Sequence, residues 1–206
     1  MSGKSTATLH YERLLFFSDA VFAIAITLLI IDIRLPETRL TSEDALQQAL
    51  IALIPTYVGF LISFIVIGQF WISHRRLFSL VRDCTRRTVF ANLLLLFTIA
   101  FLPFPTAVVN AYGGTRTGVL FYGFWLLFAG LANLFLVHSV HTSAEHLLAP
   151  LTADQRFDRV RTFLPIMIAL CGILAGLYYP PAGVAAYTFS PMIFARIVMA
   201  FRPKSA

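Results

Sequence analysis

The stretch Arg13-Leu14-Leu15-Phe16-Phe17-Ser18-Asp19 puts an arginine, a serine and an aspartate at the opening of a long apolar run that continues to Ile31. An ionisable side chain at membrane depth must find a partner or water, because hydrocarbon supplies neither. Asp19 lies about four residues into the run, roughly 6 Å deep at the helical rise, so it needs one. Donors stand at matching depth elsewhere: Trp71 and His74 at the end of a second apolar run, and Asn92 at the start of a third. Arg13, Ser18, Asp19, Trp71, His74 and Asn92 are therefore expected to form a buried polar knot tying three helices together, with a structural role. The bland alternative is that Arg13 snorkels to the headgroups and Asp19 caps or pairs locally.

Further along the same run, Ile24, Leu28 and Ile31 share one helical face at i, i+4 and i+7, with Thr27 beside them. A branched apolar stripe of this kind ordinarily marks helix packing or lipid contact. Arranged around an axis by several copies, it would instead make an apolar neck, which gates by dewetting because it is too narrow for a hydration shell and too apolar to replace one. The Thr27 hydroxyl then either offers an oxygen to a partly dehydrated cation or bonds back to the carbonyl one turn earlier. Asp32, one residue beyond Ile31, can form a carboxylate ring at the mouth. Solvation, or pairing with a neighbour such as Arg34, is the commoner fate of a span-end aspartate.

A rival chemistry resides in His138, His141, Glu145 and His146. His138 and His141 share a helical face and, with Glu145 and His146, could hold zinc or iron for a metal-dependent intramembrane enzyme. There is no H-E-x-x-H pair, however, and the only other nearby histidine on a span is His74. No Ser/His/Asp set or glycine-rich phosphate loop is visible either. The expectation is a protein that is not an enzyme, with no cofactor and no metal site.

The elements that position these residues follow from composition. Of 206 residues, 58% are hydrophobic and only 13% charged, and mean hydropathy is +0.79, so the bilayer is the expected solvent. The N-terminal run is too long for a signal-peptide core and is followed by Asp32, Arg34 and Pro36 rather than a small-residue cleavage site. Residues 1–9 are small and polar and are expected to be flexible; residues 10–206 form one all-α transmembrane domain of six helices. The spans fall near 12–33, 50–73, 88–109, 118–137, 162–179 and 182–201, with a mild kink near Pro55 in the second. Pro180-Pro181 alone separates the last two and forces an antiparallel pair. Cys84 and Cys171 have no spacing that suggests a disulfide framework or a metal.

Charge distribution sets the orientation. The net charge is +6, and with both termini inside, all of the 16 basic residues except Arg34, Arg39 and Arg116 fall on the inner side. Arginines confined to short loops at a membrane face also argue against a nucleic-acid partner. A secondary transporter would need discontinuous helices or inverted repeats around a midplane site, and neither is evident.

Arg13, Phe17, Ser18 and Asp19 reproduce an R-x-x-x-F-S-D signature, and Phe70-Trp71, His74, Phe78 and Asn92 follow it in order. In these residues the chain resembles prokaryotic relatives of transmembrane protein 175, the endolysosomal potassium channel family. The likeness covers the first three spans by motif and the last three mainly by number and length. It implies a homotetramer in the cell membrane that passes K⁺ modestly in preference to Na⁺, with no carbonyl filter loop. Four copies of the first helix would line the pore, Ile24, Leu28 and Ile31 forming the constriction, Thr27 a polar ring and Asp32 the mouth. The same resemblance adds Phe17 to the polar network.

Overall fold

A computed structural model describes residues 6–37, 41–81, 84–142 and 162–189. Helix α1 spans Thr6–Leu28 and tightens into a 3-10 turn over Leu29–Asp32. It begins earlier than the sequence boundary near Glu12, so residues 6–9 are helical, and residues 1–5 lie outside the described chain. Ser42 then caps α2, Glu43–Ala52, by accepting from the Ala45 amide at 3.2 Å, with Glu43 and Asp44 in the first turn where the helix dipole favours acids.

Proline interrupts the hydrogen-bond ladder within each of the next two spans. Pro55 has no N–H for the Ile51 carbonyl, so the helix breaks at Leu53, whose amide bonds the Leu50 carbonyl at 3.3 Å. Helix α3, Ile54–Phe78, follows. Thr85 caps α4, Arg86–Phe101, which stops at Leu102 before α5, Pro103–Tyr112. Pro103 leaves the Ile99 carbonyl without its usual donor, and the Leu102 amide turns to it at 3.2 Å. That releases the Thr98 carbonyl, and the Trp125 indole N–H occupies it at 2.9 Å. A broken helix is tolerable in a bilayer only where a neighbour re-satisfies the freed backbone in this way.

Trp125 belongs to α6, Arg116–Thr142, the central helix of the fold, which packs against α4, α5 and α7, Leu164–Tyr178. After the extended residue Tyr179 a last helix, α8, is described over 180–189. It returns so closely along α7 that a Cβ on Gly183 would lie 2.8 Å from the Gly176 Cα. Tyr187 lies in a cradle where a Cβ on Gly172 or Gly123 would collide with its ring or hydroxyl, and that hydroxyl donates to the Val119 carbonyl at 3.1 Å. Between helices in lipid, such close packing and hydrogen bonding replace the hydrophobic driving force available in water.

Four stretches, Leu9–Asp32, Glu43–Phe78, Arg86–Tyr112 and Arg116–Thr142, are long and apolar enough to cross a membrane. Helix α7 is shorter at 15 residues, and the expected sixth span is described only as far as residue 189. The protein is an all-α membrane protein.

Candidate functional site

Helix α1 packs against both α3 and α4, and polar residues of the three meet at one depth. Ser18, His74 and Asn92 are fully buried there. The Asn92 amide nitrogen donates to Ser18 Oγ at 2.9 Å, and its carbonyl oxygen faces His74 Nε2 at 2.8 Å. Ser18 in turn donates to the Leu14 carbonyl at 2.8 Å. With the asparagine oxygen as acceptor, His74 must carry its proton on Nε2. Nδ1 is then a bare lone pair, buried and without a partner, on a ring whose centroid lies 5.5 Å from that of Phe22 and 4.5 Å from that of Phe78.

Asp19 is next to this chain of bonds but more exposed, and it accepts from the Trp71 indole N–H at 2.9 Å. Thus Ser18, Asp19, Trp71, His74 and Asn92 come together, joining α1 to α3 and to α4. Two further residues expected in the network stay outside it. Arg13 is exposed and Phe17 is half-exposed, both turned from the knot. Phe17 sits roughly 100° and Arg13 roughly 140° round the helix from Ser18, too far to share its face.

The two sides of α1 are unlike. Ser18, Phe22, Ala25 and Leu29 recur at i, i+4, i+7 and i+11 and are buried, Phe22 to 1% exposure. Nearly opposite, Ile24 is 58% and Ile31 47% exposed, with Leu28 and Thr27 also open. The Thr27 hydroxyl donates to the Ile24 carbonyl at 2.9 Å, the back-bond weighed above. Because that bond uses only the hydrogen, both oxygen lone pairs remain available to accept. Asp32 is partly buried at the end of the 3-10 turn, and Arg34 Nε donates to the Ile31 carbonyl at 2.8 Å, which sets a guanidinium beside the last stripe residue.

The histidine cluster does not assemble among the described residues. His141 Nδ1 donates to the Val137 carbonyl at 2.6 Å, so that nitrogen is committed to its own helix. Glu145 and His146 lie outside the described residues, and among those described no three His, Cys, Asp or Glu side chains group as metal ligands.

Two polar contacts escape a reading by residue type. Ser63 and Thr106 pair in the core at 2.9 Å, and since Thr106 donates to the Leu102 carbonyl, Ser63 is the donor between them. Thr106 follows the Pro103 and Pro105 break, and that is the only sequence signal for the pair. Trp125 on the Thr98 carbonyl is the other, again traceable to the same prolines.

Comparison with known proteins places the chain among membrane channels. A model of the family described as endosomal/lysosomal potassium channel TMEM175 matches residues 13–103, from the motif arginine through the break after α4. A protein named as a potassium channel of Chamaesiphon minutus is 38% identical over 151 residues, 71% of this chain and 71% of that one. Another, from Streptomyces collinus, is 46% identical over 96 residues, 47% of this chain and 46% of its own. The crystal structure of a lysosomal potassium-selective channel TMEM175 homologue from Chamaesiphon minutus superposes with a TM-score of 0.76 at 27% identity, covering 92% of this chain and 98% of that one. The chain belongs to the TMEM175 potassium channel family.

Proposed function

We propose that the protein is a passive channel for K⁺, modestly selective over Na⁺, built by several copies around an axis. The observation that carries this reading is the division of α1, whose buried stripe is bolted to α3 and α4 while Ile24, Thr27, Leu28 and Ile31 are left uncovered. One subunit supplies one such helix, so a closed pore requires cyclic symmetry, and four copies make the assembly implied by the motif. Ile24, Leu28 and Ile31 would form stacked apolar rings, a barrier that favours the ion giving up its hydration more cheaply, which is K⁺. Thr27 would place one oxygen per copy between those rings. Asp32 would stand at the mouth, where Arg34 offsets part of its charge.

The knot would fix the angle at which α1 meets the axis, so Asp19→Ala should harm assembly more than selectivity. Passage of an ion makes and breaks no covalent bond, and this reading requires neither cofactor nor catalytic residue. Residues 10–206 act as one domain in the cell membrane with both termini cytoplasmic, the orientation favoured by the basic residues.

Ion flux into liposomes tests the reading. The wild-type protein should carry K⁺ faster than Na⁺, and Ile24→Asn should wet the neck and bring the two rates together. Equal flux and unchanged selectivity in Ile24→Asn would place Ile24 against lipid and end the pore assignment.

A further inference from the structure

The inner ends of α3 and α4 carry Arg75, Arg76, Arg86 and Arg87, all exposed. The His74–Asn92 bond fixes their relative height. Arg75 and Arg76 continue α3 beyond His74, and Arg86 and Arg87 open α4 about 8 to 9 Å before Asn92 at the helical rise, so all four lie on the same side of the knot. They terminate two stretches of membrane-crossing length, and this is the level of lipid phosphates.

The two pairs differ in how helix electrostatics treats them. Arg75 and Arg76 sit in the last turn of α3, where the dipole favours cations. Arg86 and Arg87 occupy the first turn of α4, which holds no acid and where the dipole favours anions. They are there at an electrostatic cost that an anion from outside the chain would offset. Two of the guanidinium groups are also held in place by aromatic rings. Arg75 stacks 5.0 Å above the Trp71 ring and Arg87 lies 5.7 Å from the Phe135 ring. A guanidinium stacked on an aromatic face keeps its edge N–H groups for a phosphate, which it can bind bidentately.

We propose that this edge binds the phosphate of an anionic phospholipid, and that Arg75 transmits its occupancy to the pore helix. Trp71 is the common element: its ring carries Arg75 on one side, and its indole N–H holds Asp19 of α1 at 2.9 Å. A phosphate drawing on Arg75 alters the stack and therefore the ring that anchors α1. The lipid is preferred over a free anion because the arginines end membrane-crossing helices, where the phosphate arrives with its acyl chains already alongside. Clusters of four or more arginines just outside a span are the pattern by which membrane proteins retain acidic lipid.

The test uses the full-length protein in mild detergent and neither readout depends on ion flux, so it is separable from the channel assignment. Phosphatidylglycerol should raise the melting midpoint by about 3 °C over phosphatidylcholine. Arg86→Gln/Arg87→Gln, compared with its own midpoint in phosphatidylcholine, should lose most of that shift, and Arg86→Lys/Arg87→Lys should keep most of it. In a Trp125→Phe background, where Trp71 is the sole tryptophan, phosphatidylglycerol should move the emission maximum, and Arg75→Gln should abolish the movement. Equal shifts with the two lipids, a shift retained in the glutamine double variant, or the same shift from inorganic phosphate alone would overturn the lipid site. A Trp71 emission that ignores phosphatidylglycerol would overturn the transmission through Arg75.

Discussion

The two sides of α1 are both predominantly apolar and have opposite circumstances. On one, Phe22, Ala25 and Leu29 are sealed against α3 and α4 above a serine that is hydrogen-bonded to Asn92. On the other, Ile24, Leu28 and Ile31 are left largely open. Hydrophobicity cannot distinguish these faces, because lipid tails are as apolar as leucine and exert no preference between them. What distinguishes them is the polar residues: Ser18, one turn below Phe22, selects the buried face by finding its partners there. A membrane helix can thus be oriented by one hydroxyl and one amide, leaving its remaining face for whatever surrounds the molecule.

The sharpest way to break that contrast is to hollow the sealed side. Phe22→Ala removes a ring packed on His74 and should lower stability by about 3–5 kcal/mol in heat or detergent-denaturation experiments. Asn92→Leu leaves His74 Nε2 without a partner in the core and takes from Ser18 the donor that ties it to α4, and should cost about 1–3 kcal/mol; a midpoint equal to wild type would mean that the knot does not orient α1. Asp19→Ala severs only the more exposed bond to Trp71, for which about 0.6–1.7 kcal/mol is expected from interhelical hydrogen bonds in membranes, seen in the same unfolding assay. The open side should scarcely register. Ile24→Ala should stay within about 0.5 kcal/mol of wild type. Thr27→Ala should likewise fold normally, since its hydroxyl bonds only its own helix, while the K⁺ to Na⁺ flux ratio falls. An Ile24→Ala variant as unstable as Phe22→Ala would erase the distinction between the faces.

The knot was legible because polar residues in apolar runs are few and must meet, so Ser18, Asp19, Trp71, His74 and Asn92 could be matched by depth alone. Arg13 and Phe17 were not resolved by that logic. Near a span end an arginine has water within reach and an aromatic ring is at home against lipid, so neither is compelled inward. The helix breaks were half legible. Pro55 and Pro103 advertise missing donors, but whether a helix kinks or parts depends on who takes the freed carbonyls. At Thr98 the answer is Trp125, 27 residues on. The hold of Tyr187 in the Gly123 and Gly172 cradle is equally non-local, since only a partner helix gives those glycines a meaning. The antiparallel return after Pro180-Pro181 was readable because so short a link leaves α8 nowhere else to go.

The bonds from His74 to Asn92 to Ser18 to the Leu14 carbonyl all point the same way. A proton wire needs every member to accept on one side and release on the other, and the carboxamide in the middle cannot release its nitrogen-bound hydrogen without becoming an imidic acid. The terminal carbonyl has no hydrogen to forward at all. This row of contacts is therefore an electrical insulator for protons: H⁺ cannot hop along the residues that hold α1 to α3 and α4.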